Sequence, residues 1–251
     1  MKIYAITNQK GGVGKSTTAH AVGVALAHQD RKVLLIDLDE QGDLSFIVGA
    51  KPGPGSFELL TKAASLGDVT QETQTKGLYI VPGAIGLASL DLVLKDVNGN
   101  GLLLKEALKG AKYDYIIIDV PPGLGSQPAN ALNAADALII PAQANILGLK
   151  NLNVFWEKTI KAMKKTNKGL KVAGVLFTNY KASAVLSKAV EGAFNDLAKS
   201  MGSKVFKTRI RSSAMIEKAQ AGHKAIFEYS KKNGAGLDYL EFVEELKRTR
   251  I

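Results

Sequence analysis

Near the amino end runs Asn8-Gln9-Lys10-Gly11-Gly12-Val13-Gly14-Lys15-Ser16-Thr17, a glycine-rich turn that ends in a lysine and two hydroxyls. Residues of these types in this order can hold a chain of phosphates. Glycines let consecutive backbone N–H groups turn inward around phosphate oxygens without Cβ clashes. An apolar run precedes the segment and a helical stretch follows it, so the helix start adds free N–H groups and the positive end of its dipole. Lys15 can reach the β- and γ-phosphates, and the Ser16 hydroxyl is placed to ligate Mg²⁺. A second chemical feature is a pair of acidic residues, Asp39 and Asp119, where apolar runs end. A carboxylate at such a strand end can hold Mg²⁺ through water, which is the role expected of Asp119. Phosphoryl transfer requires mainly positioning and charge neutralisation, and these groups supply both.

The loop departs from the general G-x-x-x-x-G-K-[ST] pattern: Gln9 stands at the first glycine position and Lys10 stands ahead of the glycines. Lys10-Gly11-Gly12-Val13-Gly14-Lys15-Ser16-Thr17 resembles the deviant Walker A motif of the ParA/MinD ATPase superfamily. Val33-Leu34-Leu35-Ile36-Asp37-Leu38-Asp39-Glu40-Gln41-Gly42 resembles that superfamily's second motif, and Tyr113 to Gly125 resembles its Walker B strand and second switch. Asn130 to Gln143 continues the match, and a weaker likeness runs through Gly174 to Tyr180 to the end. The resemblance implies that Lys10 reaches across a dimer to the partner's nucleotide and that Asp39 positions or activates the attacking water. It further implies that Asp37 supports the switch region and that Asn179 faces adenine. Glu40 replaces a usual proline and Gly123 a usual serine, changes expected to alter the stiffness of the switch loops. The family's Ile-Pro-Arg-Asn-type segment is here Ile210-Arg211-Ser212-Ser213, so its DNA contacts do not transfer residue by residue.

The elements that must position these groups can be read from hydrophobic runs. Strands are expected at Ile3–Thr7, Val33–Asp37, Leu78–Val81, Tyr115–Asp119, Ala137–Pro141, Val172–Thr178 and Lys204–Thr208. Most are continuous and β-branched, the pattern of strands covered on both faces. Helical stretches fall near 16–29, 102–110, 127–135, 149–167, 184–201, 212–221 and 235–248. Such alternation predicts an α/β fold with a doubly wound, mostly parallel sheet flanked by helices. The short Pro/Gly segment 51–55 reads as a surface loop, so residues 1–251 are expected to form one ATPase domain.

Composition narrows the function. The chain has no cysteine, which excludes disulfides, thiolate zinc sites and cysteine-ligated iron–sulfur clusters. A strand begins at once, so no signal peptide is expected, and no apolar run nears the roughly 20 residues that span a bilayer. Residues 1–149 carry 12 Lys/Arg against 14 Asp/Glu, whereas residues 150–251 carry 21 against 9. The positive excess therefore lies away from the phosphate loop, as in a binder of polyanions. Lys181, Lys188, Lys204, Lys207, Arg209, Arg211, Lys218 and Lys224 are the candidates for contact with DNA phosphates. Scattered aromatics argue against a single-strand stacking platform.

Taken with the resemblance, the expectation is a cytoplasmic, nucleoid-associated partition ATPase. It would bind ATP and Mg²⁺, form an ATP-dependent homodimer and hold double-stranded DNA without sequence preference. A ParB-like or other cargo adaptor would stimulate hydrolysis. No membrane partner is expected, because the Leu237/Leu240/Val243 stripe has acidic neighbours. No operator-binding extension precedes the loop. The alternatives are a small-molecule ligase or kinase of the same fold and a membrane-scaffolded MinD-like positioning ATPase.

Overall fold

The computed structural model describes residues 1–181 and 188–250. Eight strands form one sheet: β1 (Lys2–Ile6), β2 (Val33–Asp37), β3 (Gln71–Glu72), β4 (Leu78–Val81), β5 (Tyr115–Asp119), β6 (Ala137–Ala142), β7 (Lys171–Tyr180) and β8 (Val205–Arg211). Their order is β3-β4-β2-β5-β1-β6-β7-β8. Every pairing is parallel except that of the two-residue β3 with β4 at one edge. The doubly wound sheet expected from the alternating pattern is therefore present. Each expected strand appears within three residues of its predicted ends.

The apolar strands serve two cores. Along β1, Ile3 and Ala5 join one cluster, with Ile36, Ile118, Ile140 and Phe177. Tyr4 and Ile6 point to the opposite cluster, with Leu35, Ile117, Ile139 and Phe206. Successive side chains of a strand alternate between faces, so both faces must be apolar when both are covered. Helix α1 (Lys15–Ala27) lies on the second face. Its residues Ala19 to Ala27 are all buried, because the helix Gly234–Lys247 covers it with Tyr239, Phe242, Val243 and Leu246. A helix apolar all round is stable only in such a sandwich. The first face is covered by Ser126–Ala134 and by the long helix from Ile146 to Thr166, which contains a π turn at Trp156–Ile160.

Short elements escaped the sequence reading: α2 (Asp43–Ile47) and the helices Ser56–Leu60, Leu66–Val69, Leu90–Val93 and Ile226–Tyr229, besides β3. Four or five residues carry too little of a 3.6-residue period to register, and their stability comes from packing on the rest of the chain. The helix expected at 184–201 is seen as Lys188–Ser200, and its first expected turn lies outside the described residues.

Candidate nucleotide site

β1 lies between β5 and β6, at the point where the order of connections reverses. In open parallel sheets ligands gather at the carboxyl ends of strands at such a point. The glycine-rich loop leaves β1 there. Gly12 and Gly14 have φ of 68° and 79°, left-handed values that a β-substituted residue resists. A Cβ on Gly11 or Gly12 would meet nothing within 4 Å, so the loop backbone borders open space. The surroundings hold this conformation. Asn8 donates its amide to the Pro141 carbonyl at 2.7 Å and accepts from the Lys10 N–H at 3.0 Å. Thr178 donates to the Val13 carbonyl at 2.8 Å, and Thr18 to the Gly14 carbonyl at 2.6 Å.

At the start of α1, Gly14 provides no side-chain cap and the first turn contains no acidic residue. The helix N–H groups thus face the loop without an internal acceptor, the arrangement that favours an anion. Lys15, the first helical residue, is buried to 7% exposure. A lysine this deep requires a negative partner.

That negative charge lies next door. Asp37 and Asp119 are register neighbours at the ends of β2 and β5. Asp37 has both oxygens occupied. One accepts from the Asp39 N–H at 3.0 Å, and the other from the Ser45 N–H at 2.9 Å and the Ser45 hydroxyl at 2.6 Å. Ser45 also accepts from the Gly83 N–H at 2.8 Å. Burial pushes the Asp37 carboxyl up to about 6, against the lowering pull of the Ser45 bonds. Its hydrogen bonds fix the backbone at Asp39 and Ser45. Ser45 was not found by sequence reasoning, since a serine in the middle of a five-residue helix carries no signal of its own.

Asp119 differs. It is 1% exposed, and neither carboxylate oxygen has a hydrogen-bond partner. Burial, and then the charge of Asp37, push its carboxyl well above the usual range, while Ser16 and Lys15 pull the other way. An orphaned carboxylate beside a hydroxyl offers oxygen ligands to a divalent cation that takes its remaining ligands from water and phosphate, while the neighbouring ammonium of Lys15 is left for the phosphates. The described residues contain no cluster of three or more acidic or histidine side chains able to enclose a metal. Mg²⁺ fits this site because it keeps several waters and few protein ligands.

Asp39 is half-buried, and one of its oxygens accepts from the Gln41 N–H at 3.0 Å. The Lys10 ammonium donates to the Gln143 side chain at 2.8 Å and so rests against its own chain. Asn179 is exposed with φ of 53° near the end of β7, and Thr17 accepts a hydrogen bond from Gln220 at 2.9 Å.

The basic candidates fall into two groups. Arg211 is held by Asp238 through two side-chain bonds of 2.8 Å. Arg209 pairs with Glu191 at 2.9 Å and stacks over the Tyr180 ring at 4.8 Å, and Lys204 lies 3.8 Å from Glu245. By contrast Lys181, Lys207, Lys218 and Lys224 are exposed. The Lys188 side chain lies outside the described residues. Lys224 also borders a cavity of about 670 Å³ with Arg31, Lys32 and Lys76, a grouping the sequence does not suggest. This cavity opens at the amino ends of β2 and β4, far from the phosphate loop, and has no part in the nucleotide chemistry.

The family model described as an AAA domain matches residues 1–172. The sporulation initiation inhibitor protein Soj of Bacillus subtilis is 34% identical over 98% of this chain and 98% of its own. The chromosome-partitioning ATPase Soj of Treponema pallidum is 31% identical over 98% and 96%. Among solved structures, cobyrinic acid a,c-diamide synthase of Mycobacterium smegmatis, with bound ATP analog and magnesium, superposes with a TM-score of 0.83. It is 31% identical, over 99% of this chain and 95% of that one.

Proposed function

The chain belongs to the ParA/Soj family of partition ATPases, and on that premise we propose that ATP hydrolysis switches it between a free monomer and a DNA-bound dimer. The observation that carries the reading is Asp119, buried without a partner beside Ser16 and Lys15 at the mouth of an uncapped helix.

In this reading the N–H groups of Gly11, Gly12, Val13, Gly14, Lys15 and Ser16 receive the phosphate oxygens of ATP, and Thr17 assists them. Lys15 supplies positive charge from a site already desolvated, where it acts more strongly than in water. Ser16 and Asp119 hold Mg²⁺, whose chemistry here is to neutralise charge on the phosphates. Asp39, anchored through Asp37, orients the attacking water. Lys10 leaves Gln143 and reaches the nucleotide of a second copy, which makes dimerisation depend on ATP. Asn179 contacts the base.

The dimer binds duplex DNA through phosphate contacts alone, chiefly by the exposed Lys181, Lys207, Lys218 and Lys224, and hydrolysis stimulated by a ParB-like cargo adaptor releases it. Residues 1–251 act as one ATPase domain in the cytoplasm, on the nucleoid. A membrane scaffold is not needed. No helix among the described residues is long and apolar enough to cross a bilayer. Gly234–Lys247 buries Tyr239, Phe242, Val243 and Leu246 in its own core, whereas Leu237 and Leu240 of the stripe noted in the sequence are exposed, so only Val243 of that stripe packs on the domain.

The likeness to the diamide synthase supports a second reading, an ATP-dependent ligase with a small-molecule acceptor. One experiment separates the two: duplex-DNA binding with ATP, with ADP and without nucleotide, with mass followed by light scattering. Dimerisation and DNA binding only with ATP are expected. A monomer indifferent to DNA in all three conditions overturns the partition reading in favour of the ligase.

A further inference from the structure

The hydroxyl of Thr17 sits in the first turn of α1, two positions after Lys15. Its oxygen accepts a 2.9 Å hydrogen bond from the Gln220 amide, on the helix Met215–Ala221. A hydroxyl has one proton to give and two lone pairs to offer. With Gln220 donating into a lone pair, the Thr17 proton is left for an acceptor at the helix start, beside the open space that the loop borders. Gln220 therefore selects the polarity of Thr17, making it a donor toward an anion.

The same segment makes a second contact, with α2. His223, at φ 53°, places Nδ1 2.8 Å from the carbonyl oxygen of Phe46, and its ring meets the Phe46 ring edge to face at 5.3 Å. Phe46 belongs to α2, the helix that also contributes Ser45 to Asp37. Residues 215–224 are thus fastened to the first turn of α1 at Gln220 and to α2 at His223. On either side of these fastenings they present Lys218 and Lys224 to solvent. A rigid element held at two points moves when either point moves.

We propose that Gln220 is a positioning residue of the nucleotide site, which orients the Thr17 hydroxyl toward the phosphates and ties the basic segment 215–224 to their presence. The second half of this inference rests on the partition reading above; the first half does not.

The test is a double-mutant cycle with Gln220→Met, which keeps length without a donor, Thr17→Ala, and the pair. ATP affinity is the first readout. Each single change is expected to weaken ATP binding about 3- to 10-fold, and the pair is expected to do no worse than the weaker single variant, as coupled neighbours behave. Wild-type ATP affinity in Gln220→Met, or two single effects that multiply in the pair, overturns the proposal. Thermal melting of apo Gln220→Met at the wild-type temperature separates positioning from misfolding; a collapsed melt moves the test to Gln220→Asn, whose shorter amide must show the same loss. The second readout is the ratio of DNA affinities with ATP and with ADP, both at saturation. In Gln220→Met this ratio is expected to fall toward one. A wild-type ratio in the variant overturns the link to the basic segment. Absence of any ratio in the wild-type chain overturns the partition reading instead, and the ATP cycle still decides the role of Gln220.

Discussion

The carboxyl ends of β1, β2 and β5 and the outer surface around β8 are both rich in charge, yet they are built differently. At the first, Asn8, Lys10, Thr17, Asp37 and Ser45 each hold a hydrogen bond within the chain, and Lys15 and Asp119 are buried. Around the second, Lys181 and Lys207 stand in solvent, as do Lys218 and Lys224 on the segment that follows β8 in the chain. The difference follows from what each must do. Stabilising a transition state requires dipoles and charges fixed before the substrate arrives. Neutralising the phosphates of a duplex requires only cations within reach. Each region also contains an exception that points to its use. Asp119 is the unsatisfied group in the fixed region, and Arg209 and Arg211 are the fixed groups in the loose one.

Substitutions at the two ends should therefore fail in different ways. The largest effect is expected for Lys15→Ala, which removes the buried cation and should abolish ATP binding; unchanged affinity in a nucleotide titration would take the loop out of the site. Asp39→Ala should bind ATP but lose hydrolysis by about 100-fold, the scale of a misplaced general base, and accumulate as a DNA-bound dimer. Wild-type turnover in that variant would remove Asp39 from the chemistry.

A third contrast is pH. Burial raises the Asp37 carboxyl from its ordinary 3.8 to about 6 in the folded chain, so the folded state holds its proton more tightly than the unfolded one. Stability from this proton is complete below pH 4 and is lost as pH rises through about 6, a change of about 3 kcal/mol at roughly 1.4 kcal/mol per unit. Asp119 acts in the same direction. Thermal melts of the apo chain should fall across this range, and Asp37→Asn should flatten the fall. An equal slope in that variant would assign the loss to other groups.

The smallest effects belong to the loose region. Lys218→Ala and Lys224→Ala should each weaken DNA binding a few-fold and lower the slope of log affinity against log salt by about 1. Arg211→Ala should lower the melting temperature, because it leaves the buried Asp238 without its partner, and should change the salt slope little. An Arg211 variant that loses DNA affinity at wild-type stability would erase the division between the two regions.

Much of this was legible in the sequence because the relevant physics is local. A glycine-rich turn between a strand and a helix exposes its N–H groups wherever it occurs, and five-residue β-branched runs become covered strands. Lys15, Ser16 and Asp119 are expected in the site on these grounds, and the alternating cores of β1 and β2 follow from the same runs. The resemblance added Lys10 and Asp39, whose side chains do not reveal their roles without a second copy or a substrate.

Non-local relations had to come from the folded chain. The order β2-β5-β1-β6 brings Asp37 beside Asp119 and leaves one carboxylate satisfied and the other not. The docking of Met215–Ala221 against α1 gives Thr17 its partner, and the pairing of Asp238 with Arg211 withdraws a cation that composition alone would assign to DNA. Sequence determines which groups a chain possesses and which short elements they ride on, since propensity and patterning act over a few residues. Which of those groups is buried, satisfied or left free depends on contacts between distant segments, and these exist only once the sheet has closed its order and both its faces are packed.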